Sequence, residues 1–146
     1  MDKIQILKNT RLGKYFTAFE FCNTKDDHAI VAPDPTLFQK LDQLRDIVGS
    51  INITSGYRTP KFNQSIGGSA NSFHTKGLAV DIKFNFKSWS INNVQSLCVG
   101  IGFNNIGIYL NKDKSIAWVH VDIGPIWNAT NGWLHVGNSA VKIYNI

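Results

Sequence analysis

Several features that would make the class of this 146-residue chain obvious are missing. No apolar run approaches the roughly 20 residues that a membrane-spanning helix needs, so an integral helical membrane protein is excluded and no membrane partner is expected. Cysteine is limited to Cys22 and Cys98, each beside apolar neighbours. They read as buried thiols rather than as a disulfide framework. The N-terminal residues Met1 to Lys8 hold no apolar run of signal-peptide length and no small-residue cleavage site. Synthesis in the cytoplasm, or exit by a route the chain does not encode, is therefore expected. Repeats, low-complexity tracts and linkers are absent, which predicts one domain over residues 1–146. No basic stripe with interleaved aromatics occurs, so nucleic acid is not the expected partner. Glutamate occurs once, as Glu20.

What is present is globular: 43% of residues are hydrophobic and 17% charged, too apolar for a disordered chain. A chain of this length buries a core without metal or disulfide staples, so a bound metal would serve chemistry rather than folding. The net charge of +5 suits nucleic acid, anionic lipid or an anionic polymer such as a bacterial cell wall, and equally a solvated basic surface.

Thr17 and Glu20 form a capping-box pattern, with Phe16 and Phe21 placed for a hydrophobic staple, so a short helix is expected there. Asp34-Pro35 offers an N-cap and a proline at the first helical position, and Leu37, Leu41, Leu44, Ile47 and Val48 follow at helical spacing before Gly49. This predicts an amphipathic helix from about Pro35 to Val48. Ile51 to Ser55 alternates and reads as a strand, residues 56–73 read as loop, and Ala79 to Ile82 reads as a strand. Ser90 is placed to cap a helix carrying Ile91, Val94, Leu97 and Cys98, closed by Gly100. Asn105–Leu110 and Ile116–Ile123 read as strands joined by a polar turn, and the tail from Trp133 to Tyr144 as one more. Helices first and a mainly antiparallel sheet later make an α+β domain with flanking helices.

Of the four histidines, His74 precedes a strand bearing Asp81, and His120 lies within Trp118-Val119-His120-Val121-Asp122. Period-two alternation puts Trp118, His120 and Asp122 on one face and Val119 and Val121 on the other. Two histidines and a carboxylate are a common protein ligand set for a catalytic zinc, and nitrogen donors argue against calcium or magnesium. A His–Asp pair serves equally well as a structural hydrogen bond.

Ser55-Gly56-Tyr57-Arg58-Thr59-Pro60, Gly67-Gly68-Ser69, Ser72-x-His74-x-x-Gly77-x-Ala79-x-Asp81 and His120-x-Asp122 follow one another in order. This series resembles the M15 peptidases, the D-Ala-D-Ala carboxypeptidase and peptidoglycan endopeptidase family, in its short phage or prophage branch. The match runs roughly from Thr17 to Ile123, and the joint motif is specific. The resemblance implies a small hedgehog/DD-peptidase-like α+β fold with the sheet beneath the metal. It implies one zinc per chain on His74, Asp81 and His120. It also implies that Arg58 holds the substrate carbonyl or the oxyanion formed from it, and that Ser72 grips substrate or orients the first ligand. The implied partner is bacterial peptidoglycan peptide, met by a monomer. Two loops, Gly56 to Phe73 and Pro125 to Trp133, are expected to shape the pocket. An endolysin held in the host cytoplasm until lysis, or a virion-associated lytic enzyme, fits this branch.

One departure matters. Many members carry a Glu three residues before the last zinc histidine as general base, and others a His two residues before it. Here those positions are Ala117 and Trp118. Asp122, sharing a face with His120, is the expected base, or else the partner that orients His120. Asp113 and His135 are weaker options, with His135 expected on a packed strand and His28 on a solvated loop. The missing base keeps a second reading open: a zinc-containing module that binds peptidoglycan without cutting it.

Overall fold

Asp34 opens the first helix: its carboxylate accepts from Thr36 N at 2.9 Å, Pro35 occupies the first turn, and the chain leaves at Gly49 with φ 84°. In this computed structural model, which describes residues 9–22, 32–129 and 131–146, that helix is α1, Pro35–Val48. Leu37, Leu41 and Leu44 form its buried stripe. Ile47 departs from the expected stripe; it faces outward.

Residues 56–73 are not wholly loop. Thr59 Oγ1 accepts from Phe62 N at 3.1 Å and Pro60 supplies the first position of α2, Pro60–Ser65. A cap followed by proline was the signal, and the Gly- and Ser-rich surroundings masked it. Ser90 caps α3, Ile91–Ile101, through Asn93 N at 3.0 Å. This helix runs through Gly100 and closes at Gly102, whose φ is 96°. Near the N-terminus, strands β1 (Arg11–Leu12) and β2 (Phe16–Thr17) pair, then a 3₁₀ turn covers Ala18–Phe21. Thr17 N donates to Glu20 Oε2 at 2.7 Å, and the Phe16 and Phe21 rings meet at 5.7 Å, as the staple predicts.

The remaining strands are β3 (Asn52–Ser55), β4 (Ala79–Lys83), β5 (Asn105–Leu110), β6 (Ile116–Asp122), β7 (Leu134–Val136) and β8 (Ser139–Asn145). They form a sheet in the order β3-β4-β6-β5-β8-β7, antiparallel except where β8 runs parallel to β5. The tail is thus a hairpin of two strands, not one. The architecture is the expected α+β one.

Alternation divides this sheet into two working surfaces. Val80, Ile82, Ile106, Ile108, Val119, Val121 and Val141 are buried in the core with α1, α3 and Phe103. Cys98 is buried there too, whereas Cys22 is half-buried and donates its thiol to the Ala18 carbonyl. The opposite surface holds a register line from β3 to β8: Ser55, Asp81, His120, Gly107 and Lys142.

Candidate metal centre

His74 sits in a 3₁₀ turn, Phe73–Lys76, and is buried. Ser72 caps that turn, its hydroxyl accepting from His74 N at 3.3 Å. The His74 ring is fixed from behind: Nδ1 lies 2.9 Å from the Gly56 carbonyl oxygen. A carbonyl only accepts, so Nδ1 carries the proton and Nε2 presents a lone pair. Gly56 can offer its carbonyl there because it has no Cβ; one would lie 2.5 Å from Phe21 O.

That lone pair faces Asp81. His74 Nε2 is 3.4 Å and His120 Nδ1 is 3.1 Å from the same oxygen, Asp81 Oδ1. Asp81 and His120 are register partners on β4 and β6. One ligand atom from each of His74, Asp81 and His120 lies within 4.8 Å of the others. The other Asp81 oxygen faces Arg58 Nη2 at 3.5 Å. Arg58 also donates from Nε to Ser55 Oγ at 3.0 Å and from Nη1 to Asn63 Oδ1 at 3.2 Å. Its side chain is only 14% exposed.

Asp122 stands behind His120, with Oδ2 at 2.7 Å from His120 Nε2. Its Oδ1 accepts from Asn105 Nδ2 at 2.7 Å and from Gly124 N at 3.1 Å. The residue is 0% exposed. Both its oxygens are therefore engaged inside the protein.

This arrangement calls for positive charge at its centre. Each His120 nitrogen faces a carboxylate, and a neutral ring has one proton for the two of them. Burial alone would lower the His120 pKa, but the contacts with Asp122 and then Asp81 raise it to about 9. Burial alone would raise that of Asp81; the two imidazoles, His120 before His74, outweigh this and hold the carboxyl well below the usual range. The same demand is met by a divalent cation sharing the three donors. Two imidazole nitrogens and one carboxylate oxygen, with each ring backed by a hydrogen-bond acceptor, are donors that fit zinc.

The other candidates lie apart from this cluster. Asp113 is on the exposed β5–β6 turn, bonded to Ser115 N and Oγ. His135 is exposed on β7 rather than packed, with Nε2 2.8 Å from the Trp127 carbonyl. His28 lies outside the described residues. Ala117 has no register partner on β5, since Tyr109 pairs with Trp118 and Leu110 with Ile116, so it is the extra residue of a β-bulge.

An open cleft of about 410 Å³ adjoins His120. Its floor is Gly107; Tyr109 and Tyr144 line it from the sheet, and Phe73, Trp127 and Trp133 are among its other lining residues. Of the two loops expected to shape a pocket, the one between Pro125 and Trp133 contributes Trp127, Asn128, Asn131 and Trp133, and the one from Gly56 to Phe73 contributes its last residue, Phe73. Gly107 and Tyr109 escaped sequence reasoning, although Asn105, Gly107 and Tyr109 alternate with Ile106, Ile108 and Leu110.

The Peptidase M15 family model matches residues 14–122 of this chain, a span that includes all three candidate ligands. The chain belongs to that family. It is also similar to the probable peptidoglycan L,D-endopeptidase MepK of Haemophilus influenzae, with 31% identity over 102 residues, covering 64% of this chain and 52% of that protein. The chain thus spans about half the length of this relative.

Proposed function

We propose that this protein is a zinc-dependent peptidase that hydrolyses peptidoglycan stem peptides or their cross-links. The observation that carries the reading is the convergence of His74, Asp81 and His120 donor atoms within 4.8 Å. Membership in the M15 family and the name of the Haemophilus relative supply the substrate class. We further propose that it works as a monomeric phage or prophage lytic enzyme.

Zinc held there would lower the pKa of a bound water to roughly 7 and polarise the scissile carbonyl. The chain's own residues prepare for that chemistry. The Gly56 carbonyl locks the His74 tautomer, and Asp122 accepts from His120 Nε2 and so leaves Nδ1 as the donor atom. Arg58 holds the outer oxygen of Asp81 and keeps the carboxylate aimed. Ser72 caps the turn that presents His74. In this reading Asp122 orients His120, because the residue is unexposed, its Oδ2 faces His120 Nε2 and its Oδ1 accepts from Asn105 and Gly124.

The experiment is release of new amino groups from purified peptidoglycan. Zinc-loaded protein should release them, a chelator should stop the release, and added zinc should restore it. Release that persists in His120→Ala would overturn the zinc mechanism. Ala117 and Trp118, at positions where relatives carry a base, favour a second reading as a zinc-bearing module that binds wall peptide. Tight, zinc-dependent binding to peptidoglycan without any release would select it.

A further inference from the structure

Asn105 is fully buried on β5, and its amide is used in three directions. Nδ2 donates to Asp122 Oδ1 at 2.7 Å and to the Pro125 carbonyl at 2.9 Å, while Oδ1 accepts from Trp127 N at 2.8 Å. A carboxylate and a carbonyl only accept, and a backbone N–H only donates, so the amide fits one way round. Two donors on one atom with an acceptor beside it are a set that aspartate, leucine or threonine cannot supply.

The three partners belong to different parts of the site. Asp122 stands behind His120, with Oδ2 at 2.7 Å from Nε2. Pro125 and Trp127 open the loop that walls the cleft, where the Trp127 ring is in contact with Phe73, the residue before His74, at 5.3 Å between centroids. The Trp127 carbonyl is held as well, 2.8 Å from His135 Nε2. Gly124 lets this loop close in, since a methyl group there would lie 2.5 Å from the Phe73 ring.

We propose that Asn105 is a positioning residue that ties the metal centre to the substrate cleft. One amide fixes both the carboxylate that orients His120 and the backbone that presents Trp127, so zinc affinity and grip on the stem peptide are set together. This rests on the zinc-peptidase reading above. Unexposed itself, Asn105 touches no substrate and acts through its two neighbours.

The test uses the full chain with Asn105→Ala and Asn105→Val, the second a β-branched residue that suits a strand should the first fail to fold. Zinc affinity, measured in competition with a chromogenic chelator, should fall about tenfold, the low end for a partner behind a metal ligand. In metal-free protein the Trp127 amide should exchange with solvent about tenfold faster relative to the Val119 amide of β6, as loss of one hydrogen bond allows. KM for stem peptide should rise by more than kcat falls at saturating zinc. Combined with Asp122→Asn, Asn105→Ala should cost no further zinc affinity, because it acts through that carboxylate. A residue serving stability alone would lower Tm and leave both ratios unchanged. Wild-type zinc affinity or wild-type relative exchange at Trp127 in the folded variants therefore overturns the proposal, as does a zinc loss that adds to that of Asp122→Asn. A zinc-loaded wild type that cleaves no stem peptide overturns the peptidase reading, while zinc affinity and amide exchange still decide the role of Asn105.

Discussion

On the helix-covered face of β6, Val119 and Val121 are fully buried among the side chains of α1 and α3. On the other face of the same strand, His120 and Asp122 are joined to each other, to Asp81 and to Asn105 by short polar contacts. One face is stabilised by apolar area removed from water and tolerates no voids. The other concentrates charge that balances only with a proton or a cation at its centre. Stability and chemistry are thereby separated by a single peptide unit, and each can be damaged without the other.

Five tests would break or sharpen that division. The largest effect belongs to His120→Ala, which should abolish amino-group release and zinc uptake while keeping a single cooperative unfolding transition, measured by elemental analysis and calorimetry. Metal removal from the wild type should likewise leave a cooperative unfolding transition, because the core is on the far face; outright unfolding would make the metal structural. Ile106→Ala does the reverse. It should cost about 2–5 kcal/mol in denaturant unfolding, with kcat per folded molecule retained. Asp122→Asn loses the charged acceptor behind His120 and should weaken zinc by about 10–100-fold in competition with a chromogenic chelator. Unchanged affinity would mean that Asp122 does not orient its neighbour. The smallest effect concerns the thiols. Burial pushes the Cys98 pKa up to about 12, so a thiol reagent should modify Cys22 in the native protein and reach Cys98 only on unfolding, as mass spectrometry would record.

The parts legible from the chain were those with a local code. Asp34-Pro35 and the Leu37, Leu41, Leu44 spacing wrote α1, and strict alternation in Trp118–Asp122 wrote both faces of β6. The ligand trio needed only side-chain type and spacing to be nominated. What stayed hidden depends on partners distant in sequence. Nothing near His74 says that Gly56, eighteen positions earlier, supplies the carbonyl that sets its tautomer. Nothing near Asp122 says that Asn105 and Gly124 occupy its second oxygen. Tyr109 becomes conspicuous only when β8 is laid beside β5 and Tyr144 covers its ring. The tail's two strands were merged because the turn at Gly137-Asn138, with φ 58° at Gly137, is too short to interrupt an alternating pattern.

The alternation on β6 also sets what kinds of mutation this gene can survive. A substitution there harms one face. Losing or gaining one residue between Val119 and Asp122 would slide the following side chains to the wrong side, sending a carboxylate into the oily layer and a valine toward the metal. The polar bend at Asn111–Lys114, outside the ladder, offers a far more forgiving place for a change in length.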